Sequence, residues 1–325
     1  MPVQIDVFNG DADGICALHQ LRLHAPCPQA RLVTGVKRDI GLLARLLDVR
    51  DSRITVLDIS LDRNRDALMQ LLDQGNRVFY ADHHYSGNIP DSGTLETHID
   101  PSPLLCTSLI IDQLLAGMYR AWAIVGAFGD NLDDVVTALA VSSLDLSEND
   151  IAALRETGRL LNYNGYGMEE SDLLYHPADL FREVQRFNDP LAMFHGSAIL
   201  ARLRQGYAED MARAAGLQPC HRTDSGRVYC LPDAAWSKRV VGVFANQLAR
   251  EQPDMAHATL IPRAEGSYLV SVRAPLSSRR GADTLCRRFA TGGGRAAAAG
   301  INVLPRAGLD DFLAAFTEQF TSPSS

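Results

Sequence analysis

Short apolar runs alternate with stretches of helical period along the first 140 residues. Val3-Gln4-Ile5-Asp6-Val7-Phe8 reads as a buried strand, Asn9-Gly10 breaks it, and a helix follows from about Ile15 to Leu23. Arg31-Leu32-Val33-Thr34-Gly35 predicts a second strand, and Asp39 to Leu47 a helix with Leu42, Leu43, Leu46 and Leu47 facing inward. Ile54 to Ser60 is a third strand carrying Asp58 at its end, with Ser60 or Asp62 able to cap the helix that runs through Leu72. Arg77-Val78-Phe79-Tyr80-Ala81 is a fourth strand ending in Asp82-His83-His84. Leu104 to Met118 predicts a helix, and Trp122 to Phe128 is another apolar run, read with the strands, before Gly129-Asp130-Asn131. Strand and helix in alternation predict an α/β fold: a doubly wound, mostly parallel sheet with helices on both faces.

The pattern then changes. Ser147-Glu148-Asn149-Asp150 reads as a capping box opening a helix through Leu161, and Asn162 to Gly167 reads as a turn that ends it. Residues 170–215 are helical in pattern. From about Gln218 the chain becomes α+β: strands at Val228–Leu231, Ala258–Pro262 and Tyr268–Arg273, and helices at Val240–Glu251, Gly281–Ala290 and Leu309–Phe320. The expected organisation is a catalytic domain over 1–185, a helical connector over 186–215 and a smaller α+β domain over 216–325.

Composition narrows the class. Of 325 residues, 46% are hydrophobic, enough for a sizeable core. There is no apolar run of membrane-spanning length and no basic-then-apolar leader, so a cytoplasmic protein without a membrane partner is expected. Six cysteines are scattered without C-x-x-C pairs, which predicts reduced, mostly structural thiols and no zinc site. The net charge of −8 divides unevenly: residues 216–325 hold 13 basic and 9 acidic residues, net +4, and residues 1–215 hold 18 and 30, net −12. An acidic part can hold cations and a basic part an anionic substrate, but a long nucleic-acid track would need a larger basic stripe. A P-loop and a Ser nucleophile elbow are both missing from the sequence.

The candidate chemistry lies at the ends of the apolar runs. Asp11 and Asp13 follow the first, Asp58 ends the third, Asp82, His83 and His84 end the fourth, and Asp130 follows the run before Gly129. In an open parallel sheet these ends share one edge, where ligands bind. Carboxylates brought together repel unless a cation lies between them. Asp with neutral imidazole suits a divalent ion such as Mn²⁺, and this many carboxylates suit two ions with one Asp bridging.

These motifs together resemble the DHH phosphoesterase superfamily: Gly10-Asp11-Ala12-Asp13-Gly14, Asp58 at a strand end, Asp82-His83-His84 and Gly129-Asp130. Near the C-terminus, Gly292-Gly293-Gly294-Arg295-Ala296-Ala297-Ala298-Ala299-Gly300 resembles the Gly-Gly-Gly-His-x-x-Ala-Ala-Gly motif of the associated DHHA1 domain. The resemblance implies two Mn²⁺ ions, with Mg²⁺ or Co²⁺ as substitutes. It implies Asp11 as a ligand of one, Asp13, His83 and Asp130 as ligands of the other, and Asp58 as the bridge. His84 and Asp82 resemble catalytic groups on the substrate side. Asn9 stands where many relatives have His and nuclease relatives Asp; its amide oxygen is a neutral, weaker ligand. The Gly292–Gly294 run, Arg295 and Arg273 resemble the substrate-phosphate site, and Arg295 can bind phosphate without serving as a proton donor. The expected activity is phosphoester hydrolysis of a small nucleotide: a short single-stranded oligonucleotide, a cyclic dinucleotide or a nucleoside bisphosphate. The alternatives are an exopolyphosphatase or pyrophosphatase and a non-catalytic nucleotide-binding module. A homodimer is a permitted assembly.

Overall fold

The structure is a computed structural model, and it describes residues 3–263 and 265–321. The chain divides into two compact units, Met1–Gly206 and Tyr207–Ser325.

The first unit is built on β1 (Gln4–Phe8), α1 (Ala12–His24), β2 (Arg31–Val33), β3 (Arg53–Leu57), α2 (Leu61–Asp73), β4 (Arg77–Asp82) and β5 (Leu95–Ile99). All five strands are parallel, in the order β2-β1-β3-β4-β5. The doubly wound sheet predicted from the alternation is therefore present. The strand order reverses direction between β1 and β3, and that crevice is where such sheets place their ligands. Register aligns Phe8 with Leu57 and Leu57 with Ala81, so Asn9, Asp58 and Asp82 leave the sheet at one level. On one face Ile5, Val7, Ile54, Val56, Val78 and Tyr80 pack against Leu42, Leu43, Leu46, Leu61, Leu68 and Leu71. The predicted helix over Asp39–Leu47 shortens to a 3₁₀ turn, Leu42–Leu46. Strand β5 has no apolar run to betray it; Leu95-Glu96-Thr97-His98-Ile99 is a half-exposed edge paired on one side with β4.

Helices then cover the other face: α3 (Thr107–Leu114), α4 (Arg120–Gly129), α5 (Asp133–Ser143), α6 (Glu148–Gly165), α7 (Pro177–Val184), α8 (Pro190–Gly196) and α9 (Ala198–Ala215), which crosses the boundary between the units. The run Trp122–Phe128, read with the strands, is the interior of helix α4. Every residue from Trp122 to Gly129 is buried, because α4 packs against α1, α3 and α6 together. A helix buried all round carries no period in its sequence, so only its neighbours distinguish it from a strand. The capping box at Ser147 and Asp150 forms as predicted, and α6 continues through Gly165, past the turn expected at Asn162.

The second unit contains β6 (His221–Arg222), β7 (Gly226–Cys230), α10 (Ala235–Glu251), β8 (Ala256–Arg263), β9 (Ser267–Arg273), α11 (Ala282–Cys286), β10 (Gly292–Gly294), β11 (Ala298–Pro305) and α12 (Leu309–Phe320). Its mixed six-stranded sheet has the order β10-β11-β9-β8-β7-β6. Val228, Leu260, Val270, Val272 and Ile301 pack against Leu285, Phe312 and Phe316. The six cysteines are free; Cys16, Cys106 and Cys286 are buried, and the exposed Cys220 and Cys230 bring their sulfurs 2.7 Å apart across the β6–β7 hairpin.

Candidate metal centre

Asp11 occupies the tight turn between β1 and α1. Its Oδ1 accepts from the Asp13 and Gly14 amides at 3.1 Å each, so it caps the helix. The turn is closed enough that a Cβ on Gly14 would fall 2.3 Å from the Asn9 carbonyl. Asp13, one residue into the helix, spends both oxygens on a second helix: Oδ1 accepts from Ser108 N and Oδ2 from Thr107 N, each at 2.7 Å. That carboxylate thus neutralises the start of α3 as well as facing the crevice.

Asp58 follows β3 with φ of +58°, a left-handed conformation that costs a non-glycine residue about 1–2 kcal/mol. The turn aims its buried carboxylate across the crevice, where Oδ1 accepts from Thr107 Oγ1 at 3.1 Å. His83 follows β4, and its Nε2 lies 3.4 Å from Asp58 Oδ1 and 3.7 Å from Asp130 Oδ2. Asp130 reaches the same point from the C-terminal end of α4, not from a strand end as the sequence pattern suggested. His84 Nδ1–H donates to the fully buried Asp82 at 2.7 Å, which orients the exposed ring, and a ligand atom of His84 lies within 4.8 Å of those of Asp58 and His83.

The electrostatics are those of crowded carboxylates. Burial, and then the charges of Asp13 and Asp11, push the Asp58 carboxyl well above its usual range. Burial and Asp13 also raise Asp130. For His83 burial favours the neutral ring, but the hydrogen bond to Asp58 and the charges of Asp13, Asp58 and Asp130 outweigh it and lift the value to about 10. Protein groups alone therefore hold a proton where Asp58 and His83 meet. Oxygen and imidazole atoms 3.4 and 3.7 Å apart leave room for one ion about 2.1 Å from each. Among the described residues, the buried Asn9 Oδ1 and Asp82 Oδ2 have no hydrogen-bond partner. This donor set fits a divalent cation that takes oxygen and nitrogen ligands.

Lys37 carried no site reading from the sequence, and Asn162 was expected there only as the start of a turn. Lys37, in the loop after β2, places Nζ 2.5 Å from Asp11 Oδ2, 3.5 Å from Asp130 Oδ1 and 3.3 Å from Asn162 Oδ1. Asn162 lies on α6 and donates to the Tyr166 hydroxyl at 2.8 Å, with Lys37 Nζ 5.9 Å from the centre of that ring. The signal for Lys37 was its rarity: it is one of only two lysines, Lys37 and Lys238, in a chain rich in arginine.

The residues expected to bind phosphate lie in the second unit. Gly292, Gly293 and Gly294 form strand β10 of a hairpin with β11, in place of an open loop. Arg295 begins the turn, its N–H donating to Ala298 O at 2.9 Å, and its side chain is exposed. Arg273 pairs in register with Ala298, and its guanidinium donates to Asn246 Oδ1 at 2.6 Å and Ser271 Oγ at 2.9 Å. The hairpin thus brings Arg273 beside the turn that carries Arg295.

No protein-family model and no curated protein matches the chain. Solved structures do. A manganese-bound RecJ exonuclease superposes with a TM-score of 0.60 at 17% identity, over 98% of this chain and 91% of that one. RecJ from Thermus thermophilus with Mn²⁺ gives 0.57 at 18% identity; the match covers 98% of this chain but 53% of the Thermus protein, so the present chain spans about half its length. The pGpG-specific phosphodiesterase PggH of Vibrio cholerae gives 0.51 at 10% identity, over 98% of this chain and all of that one. Among the described residues no helix is long and apolar enough to cross a membrane. RecJ and PggH are members of the DHH phosphoesterase superfamily, and the fold expected from the sequence resemblance is the fold this chain has.

Proposed function

We propose that the chain is a divalent-metal-dependent phosphoesterase that hydrolyses a small nucleotide, with Mn²⁺ as the ion and Mg²⁺ or Co²⁺ as substitutes. The observation that carries this reading is the meeting of Asp58, His83 and Asp130 at the strand-order switch of the parallel sheet. An ion bound there supplies a nucleophile at neutral pH and a Lewis acid for the phosphoryl oxygens. Asp58, His83 and Asp130 would hold it, with the Asp13 carboxylate adding negative charge beside Asp58 and His83. Asp82 fixes the His84 ring, and the exposed His84 edge is the group placed to exchange a proton with a bound phosphate ester. Arg295 and Arg273 bind the substrate phosphate in this reading, since guanidinium offers forked donors to phosphoryl oxygens.

Support for a nucleotide comes from Tyr166, a half-buried ring beside the carboxylates that offers a base a stacking face. It comes also from the fold shared with an exonuclease and with a pGpG phosphodiesterase. The test is a Mn²⁺ assay against di- to pentaribonucleotides, cyclic dinucleotides, 3′-phosphoadenosine 5′-phosphate and polyphosphate. Hydrolysis of a short nucleotide that is lost in Asp58→Ala is expected. Turnover of polyphosphate alone would transfer the reading to an exopolyphosphatase, and nucleotide binding with no turnover to a binding module. Near-normal hydrolysis by Asp58→Ala would refute the assignment of the site.

A further inference from the structure

Lys37 stands where a cation would stand, and this observation deepens the metal-dependent reading, on which it rests. An ammonium has three N–H donors. Those of Lys37 face three oxygens: Asp11 Oδ2 at 2.5 Å, Asn162 Oδ1 at 3.3 Å and Asp130 Oδ1 at 3.5 Å. Asp11 Oδ1 already accepts from two backbone amides, so both oxygens of Asp11 are engaged by the protein itself. Asn9 brings no charge, and its Nδ2 donates to the Lys37 carbonyl at 3.3 Å, tying the two residues together. The remaining ligand atoms, Asp58 Oδ1 and Asp130 Oδ2, lie 3.4 and 3.7 Å from His83 Nε2.

We propose that the crevice takes a single divalent ion, between Asp58, His83 and Asp130, and that the Lys37 ammonium supplies the second positive charge. Asp130 links the two, with Oδ1 toward Lys37 and Oδ2 toward His83. A second ion would have to displace a lysine held by two carboxylates. Lys37 is a positioning residue: it holds Asp11 and Asp130 and has no donor left over for the substrate.

The experiment uses the full chain stripped of metal. Mn²⁺ is titrated by calorimetry, and the loaded protein is examined by electron paramagnetic resonance, for wild type, Lys37→Arg and Lys37→Met. One ion per chain with the spectrum of an isolated Mn²⁺ is expected for wild type and for Lys37→Arg. A second ion, with the spin coupling of a Mn²⁺ pair, is expected for Lys37→Met, where Asp11 Oδ2 is released. Two coupled ions in wild type would overturn the proposal while leaving a metal-dependent enzyme intact, and the wild-type count decides even if Lys37→Met fails to fold. A single ion in a folded Lys37→Met would also overturn it. No Mn²⁺ binding by any form would sink the metal-dependent reading itself.

Discussion

Acid should unlock the packing of α1 against α4 through one side chain, His19. The ring is 1% exposed, stands edge-on to Trp122 with centroids 4.6 Å apart, and donates from Nε2–H to Phe187 O at 2.9 Å. Burial pulls its value from 6.5 down to about 4, against a smaller opposing effect of the Phe187 carbonyl. The unfolded chain therefore takes up a proton near pH 6.5 that the folded chain refuses until about pH 4. The neutral ring contributes its full stabilisation above pH 6.5, and that contribution is lost as pH falls toward 4. At about 1.4 kcal/mol per pKa unit, the loss is about 3 kcal/mol. Asp58 and Asp130, whose carboxyls are raised, act in the opposite sense as pH falls, so wild type alone would mislead. The comparison is with His19→Gln, which keeps a donor for Phe187 and does not titrate. Urea unfolding at steps from pH 7 to pH 4, in EDTA, follows Trp122 fluorescence in a Trp236→Phe background, which confines the signal to the first unit. Wild type should lose about 3 kcal/mol relative to His19→Gln over that range. Parallel stability curves would refute the reasoning.

Three further outcomes follow from particular contacts. Gly158→Ala would place a Cβ 2.2 Å from the Val125 carbonyl and 3.0 Å from Gly129 N, where α6 crosses α4; the helices must part, at a cost of about 1–3 kcal/mol read as a fall in Tm, with weaker Mn²⁺ binding because Asp130 moves. Arg239→Met leaves the buried Asp210, which it meets at 2.7 Å, with Arg213 at 3.3 Å as a weaker partner; the loss should be about 3 kcal/mol and largely recovered by adding Asp210→Leu, as chemical denaturation would show. If Arg295 binds the substrate phosphate, Arg295→Ala should raise KM about ten- to a hundredfold with kcat little changed; an unchanged KM would remove Arg295 from the site.

The strand ends were legible because a parallel sheet ties local sequence to place. Once β1, β3 and β4 lie side by side, the residue after each apolar run must leave at the same edge, so Asp58 and His83 could be predicted to meet. The metal-ligand roles came from the resemblance to the DHH superfamily, and the structure adds that Asp11 and Asp13 each serve a helix N-terminus at the same time. Asp130 was expected at the right point by way of the wrong element. Trp122–Phe128 is apolar on every side because three helices surround it, and a run of that kind does not declare its own conformation. The glycine run carries no strand pattern of its own, and Gly292–Gly294 pairs as a strand only because β11 returns beside it.

Local order was enough for the alternation of elements, the class of sheet, the capping box at Ser147 and the list of acidic and imidazole groups that converge on the crevice. Each depends on spacing along the chain or on one strand's relation to the next. The neighbours that those groups keep belong to the tertiary structure alone. Lys37 reaches Asp11 across 26 positions and Asn162 across 125, and Thr107 reaches Asp58 across 49. No period or motif encodes such pairs, and it is packing in three dimensions that seats a lysine among the carboxylates.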